Sequence, residues 1–175
     1  RLMLFLCALV LRARLGVAAD RLAPLFMPVA VMAWLGCGTA GCAYGSPLNQ
    51  QLPWALPVLD TQGVETYRWP LAYLAAAALL LFAWRAERLS ENAQAPGARA
   101  CITGIALALH SLLFSYLRAD PLPAYQGVRL DYAAALGLGG LCLLGLVGLG
   151  IARLRASFSD EAPGANRESW FSPRE

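Results

Sequence analysis

The sequence predicts an all-α, polytopic integral membrane protein, with about four complete transmembrane helices and a truncated one at the N-terminal end. Three observations carry this. Of the 175 residues, 58% are apolar and 14% are charged, and the mean hydropathy is +0.52; soluble globular domains run at about 45–50% apolar and about 25% charged. That much apolar surface exceeds what one small core can bury, so lipid must cover part of it. The apolar residues also gather into runs of 16–23 residues without period-2 alternation, and helices of about 20 residues are what a bilayer core of ~30 Å requires.

Taken in order, the first run, Leu2 to Leu11, is ten residues long and reads as the tail of a cut helix. It has neither a charged leading region nor a cleavage site, as a signal peptide would. The second run, Leu22 to Tyr44, ends in a glycine-rich stretch. The third, Trp69 to Trp84, is alanine-rich with aromatic residues at both ends, where interfacial belts sit. The fourth is Cys101 to Leu117. The fifth, Tyr132 to Ala152, carries six glycines; Gly137, Gly140, Gly145 and Gly148 fall largely on one side, which reads as a helix-packing stripe. Residues 12–21, 45–68, 85–100 and 118–131 read as polar connections. The chain thus divides into a transmembrane helical domain, 1–152, part of a larger membrane domain, and a polar, mobile tail, 153–175.

Charge sets the orientation. All 14 basic residues are arginine. Arg12, Arg14, Arg21, Arg85, Arg88, Arg99, Arg153 and Arg155 lie on one side and Arg68, Arg118 and Arg129 on the other. Positively charged loops stay inside, so the tail is expected in the cytoplasm and 45–68 and 118–131 outside. The net charge of +3 is spread between apolar blocks, which excludes a nucleic-acid footprint. With one histidine, His110, and no cysteine pair at zinc spacing, no metal site or other cofactor is expected.

Three stretches carry chemistry. Trp34 to Gly45 holds four glycines in ten residues, Gly36, Gly38, Gly41 and Gly45, which break a helix at the outer interface. Irregular backbone there is tolerated where protein or a cavity covers it, so this is either a pocket wall or a helix end that packs tightly. Cys37 and Cys42 could pair in an oxidising compartment, although spacing does not establish a bond. Next, Ser111, Ser115 and Arg118 at i, i+4 and i+7 form one polar stripe. His110 points about 100° away from Ser111, which rules out a Ser–His–Asp triad with Asp120 and suits an interhelical hydrogen bond. Third, Tyr67-Arg68-Trp69-Pro70 opens a helix, with Arg68 suited either to a lipid phosphate or to anchoring at the interface.

The order Leu35-Gly36-Cys37, Gly41-Cys42, Tyr44-Gly45, Leu52-Pro53-Trp54-Ala55, Arg68-x-Pro70 resembles the bacterial prolipoprotein diacylglyceryl transferases. So do Leu117-Arg118-Ala119-Asp120-Pro121 and Gly127-Val128-Arg129-Leu130 before a final long helix. The resemblance covers residues 15–152. It implies a multi-pass protein of the bacterial inner membrane with its C-terminus in the cytoplasm. The implied reaction moves diacylglyceryl from phosphatidylglycerol to the thiol of a lipobox cysteine, a step of lipoprotein biosynthesis. The implied partners are that membrane lipid and the prolipoprotein signal peptide.

The chain departs from the family where charge matters. Ala33-Trp34 stands where the signature opens Gly-Arg. Leu74-Ala75 replaces a Tyr-Glu pair, and Ser111, Ser115, Arg118 replaces an Arg, Glu, Arg stripe. The family's histidine–glycine motif would lie upstream of Arg1. Loss of one preorganised electrostatic donor costs ~10²–10³ in rate, so the expectation is a divergent member with weakened or lost catalysis and no retained catalytic residue. Its candidate lipid or phosphate pocket is Gly36, Cys37, Gly41, Tyr44, Gly45, Arg68 and Arg118. The alternative is a non-catalytic lipid-binding or helix-packing membrane protein.

Overall fold

The computed structural model describes residues 12–49, 52–59 and 63–160, so the expected run Leu2–Leu11 and the end of the tail lie outside the described residues. Four helices dominate: α1 (Arg12–Thr39), α2 (Leu71–Ser90), α3 (Ala98–Leu117) and α4 (Leu130–Asp160). Between α1 and α2 an antiparallel hairpin forms from β1 (Leu56–Leu59) and β2 (Glu65–Arg68), with Leu56 opposite Arg68. Between α3 and α4 lies a smaller one, β3 (Ala124–Tyr125) and β4 (Val128–Arg129). The connections read as polar loops are therefore partly pleated. In 45–68 the segment before β1 runs beside β2, through Leu48 N–H to Tyr67 O at 2.7 Å.

Three helices are long and apolar enough to cross a membrane: Leu15–Thr39, Ala98–Leu117 and Leu130–Ser157. The chain is a membrane-embedded helical protein. α2, expected as a further span, falls short because Arg85, Glu87 and Arg88 occupy its last turns. Its apolar part, Leu71–Trp84, covers 14 residues, or about 21 Å at 1.5 Å per residue. α2 nevertheless supplies the centre of the fold. Leu71, Ala72, Ala75, Ala76, Leu79 and Ala86 are buried, a spacing that keeps one helical face inward. Met27 of α1, Leu79 and Ala86 of α2, and the α3 side chains Ile102, Ala106 and Leu107 meet there.

Two boundaries move. Residues 12–21, read as a connection, belong to α1. Gly16 lets the helix lie against the α2–α3 turn, since a Cβ there would sit 2.8 Å from the Pro96 carbonyl. Asp20 then accepts hydrogen bonds from Gly97 N–H at 2.7 Å and Ala100 N–H at 2.8 Å, so a side chain of α1 caps α3. At the other end α4 runs past Ala152 to Asp160, because Arg153–Ser159 contains neither glycine nor proline.

The glycine stripe of α4 also differs from its expectation. Gly137, Gly140 and Gly148 face open space, whereas Gly139 and Gly145 meet α3. A Cβ on Gly145 would lie 3.0 Å from Cys101 Sγ, and one on Gly104 of α3 would lie 2.5 Å from Cys142 Sγ. Each helix thus seats a cysteine of the other over a glycine. Small residues permit that approach in lipid, where apolar area alone does not drive helices together. The outward side of α4 is leucine, with Leu141 and Leu144 both 71% exposed.

Candidate functional site

The termini of α1, α3 and α4 that carry Thr39, Leu117 and Leu130 come together at the end of the molecule that bears both hairpins. α1 closes there in a Schellman motif. Cys42 N–H reaches Cys37 O at 2.9 Å and Gly41 N–H reaches Gly38 O at 3.4 Å, and Gly41 takes the left-handed φ of +71° that such a cap requires. Cys37 and Cys42 are disulfide-bonded, which settles the pairing that spacing left open; they link the two positions a Schellman motif normally joins by an apolar contact. The chain then turns inward. Ala43 is fully buried, its N–H donates to Asp120 Oδ2 at 3.3 Å, and Ala119 N–H donates to Tyr44 O at 3.0 Å.

Two arginine–aspartate pairs organise this end. Arg118 follows the last turn of α3 and forks onto Asp120, Nε to Oδ1 at 2.8 Å and Nη2 to Oδ2. Arg129 forks onto Asp131 at 3.3 and 3.2 Å and also donates Nη1–H to the Arg118 carbonyl at 3.2 Å. Ser115 Oγ donates to Asp131 Oδ2. Burial pushes the Asp120 carboxyl up, but its hydrogen bonds to Arg118, the arginine's charge and the Ala43 N–H outweigh this and hold it below the ordinary carboxylate value. The hydrogen bond that Arg118 donates to Asp120 raises Arg118 in turn, against the opposing effect of burial.

A cavity of about 250 Å³ opens beside these pairs, lined by Trp34, Ser111, Ser115, Arg118, Asp131 and the N-terminal turns of α4. Arg118 Cζ lies 5.7 Å from the Trp34 ring centre. Behind the indole, His110 and Phe114 stack at 4.6 Å, each edge-on to Trp34. His110 is 1% exposed and its Nε2 donates to the Ala75 carbonyl at 2.9 Å, the interhelical hydrogen bond its position suggested. Its ring is thereby turned away from the serines. The hydroxyls, carboxylate and guanidinium in the cavity wall can grip a polar headgroup. Among the described residues no imidazole or unpaired carboxylate faces that space to take a proton.

Of the residues singled out from sequence, Trp34, Ser111, Ser115 and Arg118 line this cavity. Arg68 does not. Its guanidinium lies 4.4 Å over the Tyr44 ring and its Nε donates to Thr66 Oγ1 at 3.1 Å, so it ties β2 to the segment after α1. Gly45 stacks against Trp69, where a Cβ would be 2.9 Å from Trp69 Cβ. Gly36 and Gly41 face open space, and Cys37 is committed to its disulfide. The two arginines therefore sit in neighbouring but separate settings, joined through Tyr44, Ala43 and Asp120.

Sequence reading missed Asp131 and gave Asp120 no role. A signal was present: Arg118-Ala119-Asp120 and Arg129-Leu130-Asp131 repeat the same Arg-x-Asp spacing on either side of a short hairpin. Searched against protein-family models, curated proteins and solved structures, the chain matches none.

Proposed function

We propose that this chain is a multi-pass protein of the bacterial inner membrane, a divergent relative of the prolipoprotein diacylglyceryl transferases that binds a lipid headgroup and has lost the transfer step. The cavity bounded by Trp34, Ser111, Ser115, Arg118 and Asp131 is the observation that carries it. It pairs hydroxyl and charged hydrogen-bonding groups with an aromatic wall at the end of three membrane-length helices, which suits the glycerol phosphate head of phosphatidylglycerol. Thiol transfer would also need a base for the incoming thiol and uncommitted cations for the departing phosphate. Behind the cavity wall His110 is bonded to Ala75, and in the wall Arg118 is bonded to Asp120. The arginine count favours a cytoplasmic C-terminus, with α2 as a further span over its full 20 residues, about 30 Å, and Arg85 and Arg88 reaching to the interface. The Cys37–Cys42 disulfide at the cavity end agrees with that end facing an oxidising compartment.

A second reading is favoured by the completeness of the ion pairing. Arg118 with Asp120 and Arg129 with Asp131 carry no net charge, as in a cluster whose work is to lock helix ends for packing.

The test is complementation. The full-length gene, expressed in a bacterium depleted of its own diacylglyceryl transferase, is expected to insert into the membrane and to leave a precursor lipoprotein unlipidated on a gel-shift assay. Lipidation would refute the loss of catalysis. Native mass spectrometry with phosphatidylglycerol separates the two readings: Ser111→Leu, which fills the cavity, removes one bound lipid if a headgroup occupies it and none if the cluster only packs.

A further inference from the structure

At the opposite end of the helices an open groove of about 440 Å³ runs along α3, flanked by α2 and α4. Leu81 and Phe82 of α2, Ile105 and Leu109 of α3 and Leu146 of α4 make it almost wholly carbon, with Arg85 as its one charged lining residue. Arg85 lies five residues before the end of α2 at Ser90, about 7 Å along the axis. From there the floor follows α3 from Ile102 to Leu109, about 10 Å, or roughly two thirds of a leaflet whose hydrocarbon is ~15 Å deep. Leu81, Leu89 and Leu109 along its margins are 55–69% exposed, so the groove opens sideways toward lipid rather than into a closed core.

The arginines at this end are not equivalent. Arg88 pairs with Glu91 and Arg99 with Glu87. Among the described residues Arg85 has no carboxylate partner, and its guanidinium lies 5.7 Å from the ring centre of Trp84, itself 54% exposed. A neighbouring groove between α1 and α2 also reaches charge, but its Glu87 and Arg99 satisfy each other. An apolar trough about two thirds of a leaflet deep, with one arginine uncommitted to a carboxylate and an exposed tryptophan ring beside that arginine, has the pattern of an anionic amphiphile: tail along carbon, phosphate on a guanidinium.

We propose that this groove is a lipid site distinct from the cavity at the other end, holding one acyl chain of an anionic phospholipid with its phosphate on Arg85 beside Trp84. The apolar residues 1–11 contain no acid and cannot neutralise Arg85. The chain's own residues 161–175, where Glu168 stands beside Trp170 and Phe171, are the rival occupant.

The purified full-length chain is presented with equal amounts of dioleoylphosphatidylglycerol and dioleoylphosphatidylethanolamine, and retained lipid is counted by native mass spectrometry. One arginine at a membrane surface contributes about a fivefold preference for anionic lipid. Arg85→Gln is expected to remove that preference at one site, and Arg88→Gln, whose guanidinium is already paired, to keep it. Ile105→Trp, which fills the groove, is expected to lose one lipid. Ser111→Leu, in the other cavity, leaves this site loaded, so failure of the headgroup reading and failure of this one are seen separately. An unchanged preference in Arg85→Gln overturns the proposal. So does a chain ending at Asp160 that gains a lipid the full chain lacks, or an Ile105→Trp variant that splits an oligomer without losing lipid.

Discussion

Replacing Asp20 by alanine tests whether the first turns of α1 hold the helices together. Asp20 bonds to the N–H groups of Gly97 and Ala100, at 2.7 and 2.8 Å. These belong to the few donors at a helix start that have no partner within the helix. Losing an ordinary side-chain cap costs ~1 kcal/mol and up to ~2 kcal/mol. Here one carboxylate serves two partly buried donors and also ties α1 to α3, so the expected loss for Asp20→Ala is about 2 kcal/mol. Asp20→Asn keeps one acceptor oxygen but gives up the charge facing the positive helix end, for an expected loss of about 1 kcal/mol. Gly16→Ala drives a methyl group to 2.8 Å from the Pro96 carbonyl and loosens the same junction, so its cost and that of Asp20→Ala will not add. The assay is reversible unfolding in dodecyl maltoside micelles with increasing dodecyl sulfate, followed by tryptophan fluorescence. Arg21→Ala, exposed on the same helix, is the control and is expected to stay within about 0.5 kcal/mol of the parent. If Asp20→Ala behaved like that control and matched Asp20→Asn, the cap would be ornamental and α1 would owe its position to apolar packing alone.

Three further outcomes are expected. Gly104→Ala forces a methyl group to 2.5 Å from Cys142 Sγ and is expected to cost ~1–3 kcal/mol in the same unfolding assay; Cys142→Ala in the same chain recovers most of it, and Gly148→Ala, facing open space, is neutral. The folded value of Asp120 lies below the usual 3.8, so its contribution to stability is complete above about pH 5 and is lost as the pH falls through that lowered value. Acid unfolding of Asp120→Asn therefore shows a shallower pH dependence below about pH 4, and equal slopes in the two proteins would remove the Arg118–Asp120 pair from the stability account. Trp34→Arg sets a second guanidinium beside Arg118 in the cavity wall and is expected to raise phosphatidylglycerol binding by reconstituted protein about fivefold; no gain would mean that the indole does not occupy a phosphate position.

Hydropathy was enough to place α1, α3 and α4, because a membrane helix must be apolar over a length set by the bilayer and the requirement is written residue by residue. The same logic located Pro70 just before α2 and the glycine-rich close of α1, since a fixed φ and a left-handed cap are local demands. Partnerships between distant residues were not legible in that way. Residues 12–21 carry three arginines and an aspartate and read as a connection, and their role appears only when Asp20 meets Gly97 some 77 positions away. Gly145 and Gly148 are indistinguishable in sequence, yet the first seats Cys101 and the second faces open space, because helical phase against a particular neighbour decides which small residue is needed. The candidate site divides on the same line. Arg118 and the serines announced themselves as a polar stripe in an apolar helix. Only the tertiary structure brought Asp131 to Ser115, committed Arg118 to Asp120 and set Arg68 over Tyr44 instead of in the same cavity. Charge is a property of a residue, whereas pairing depends on which other chain segment arrives within about 3 Å, and one-dimensional order does not carry that distance.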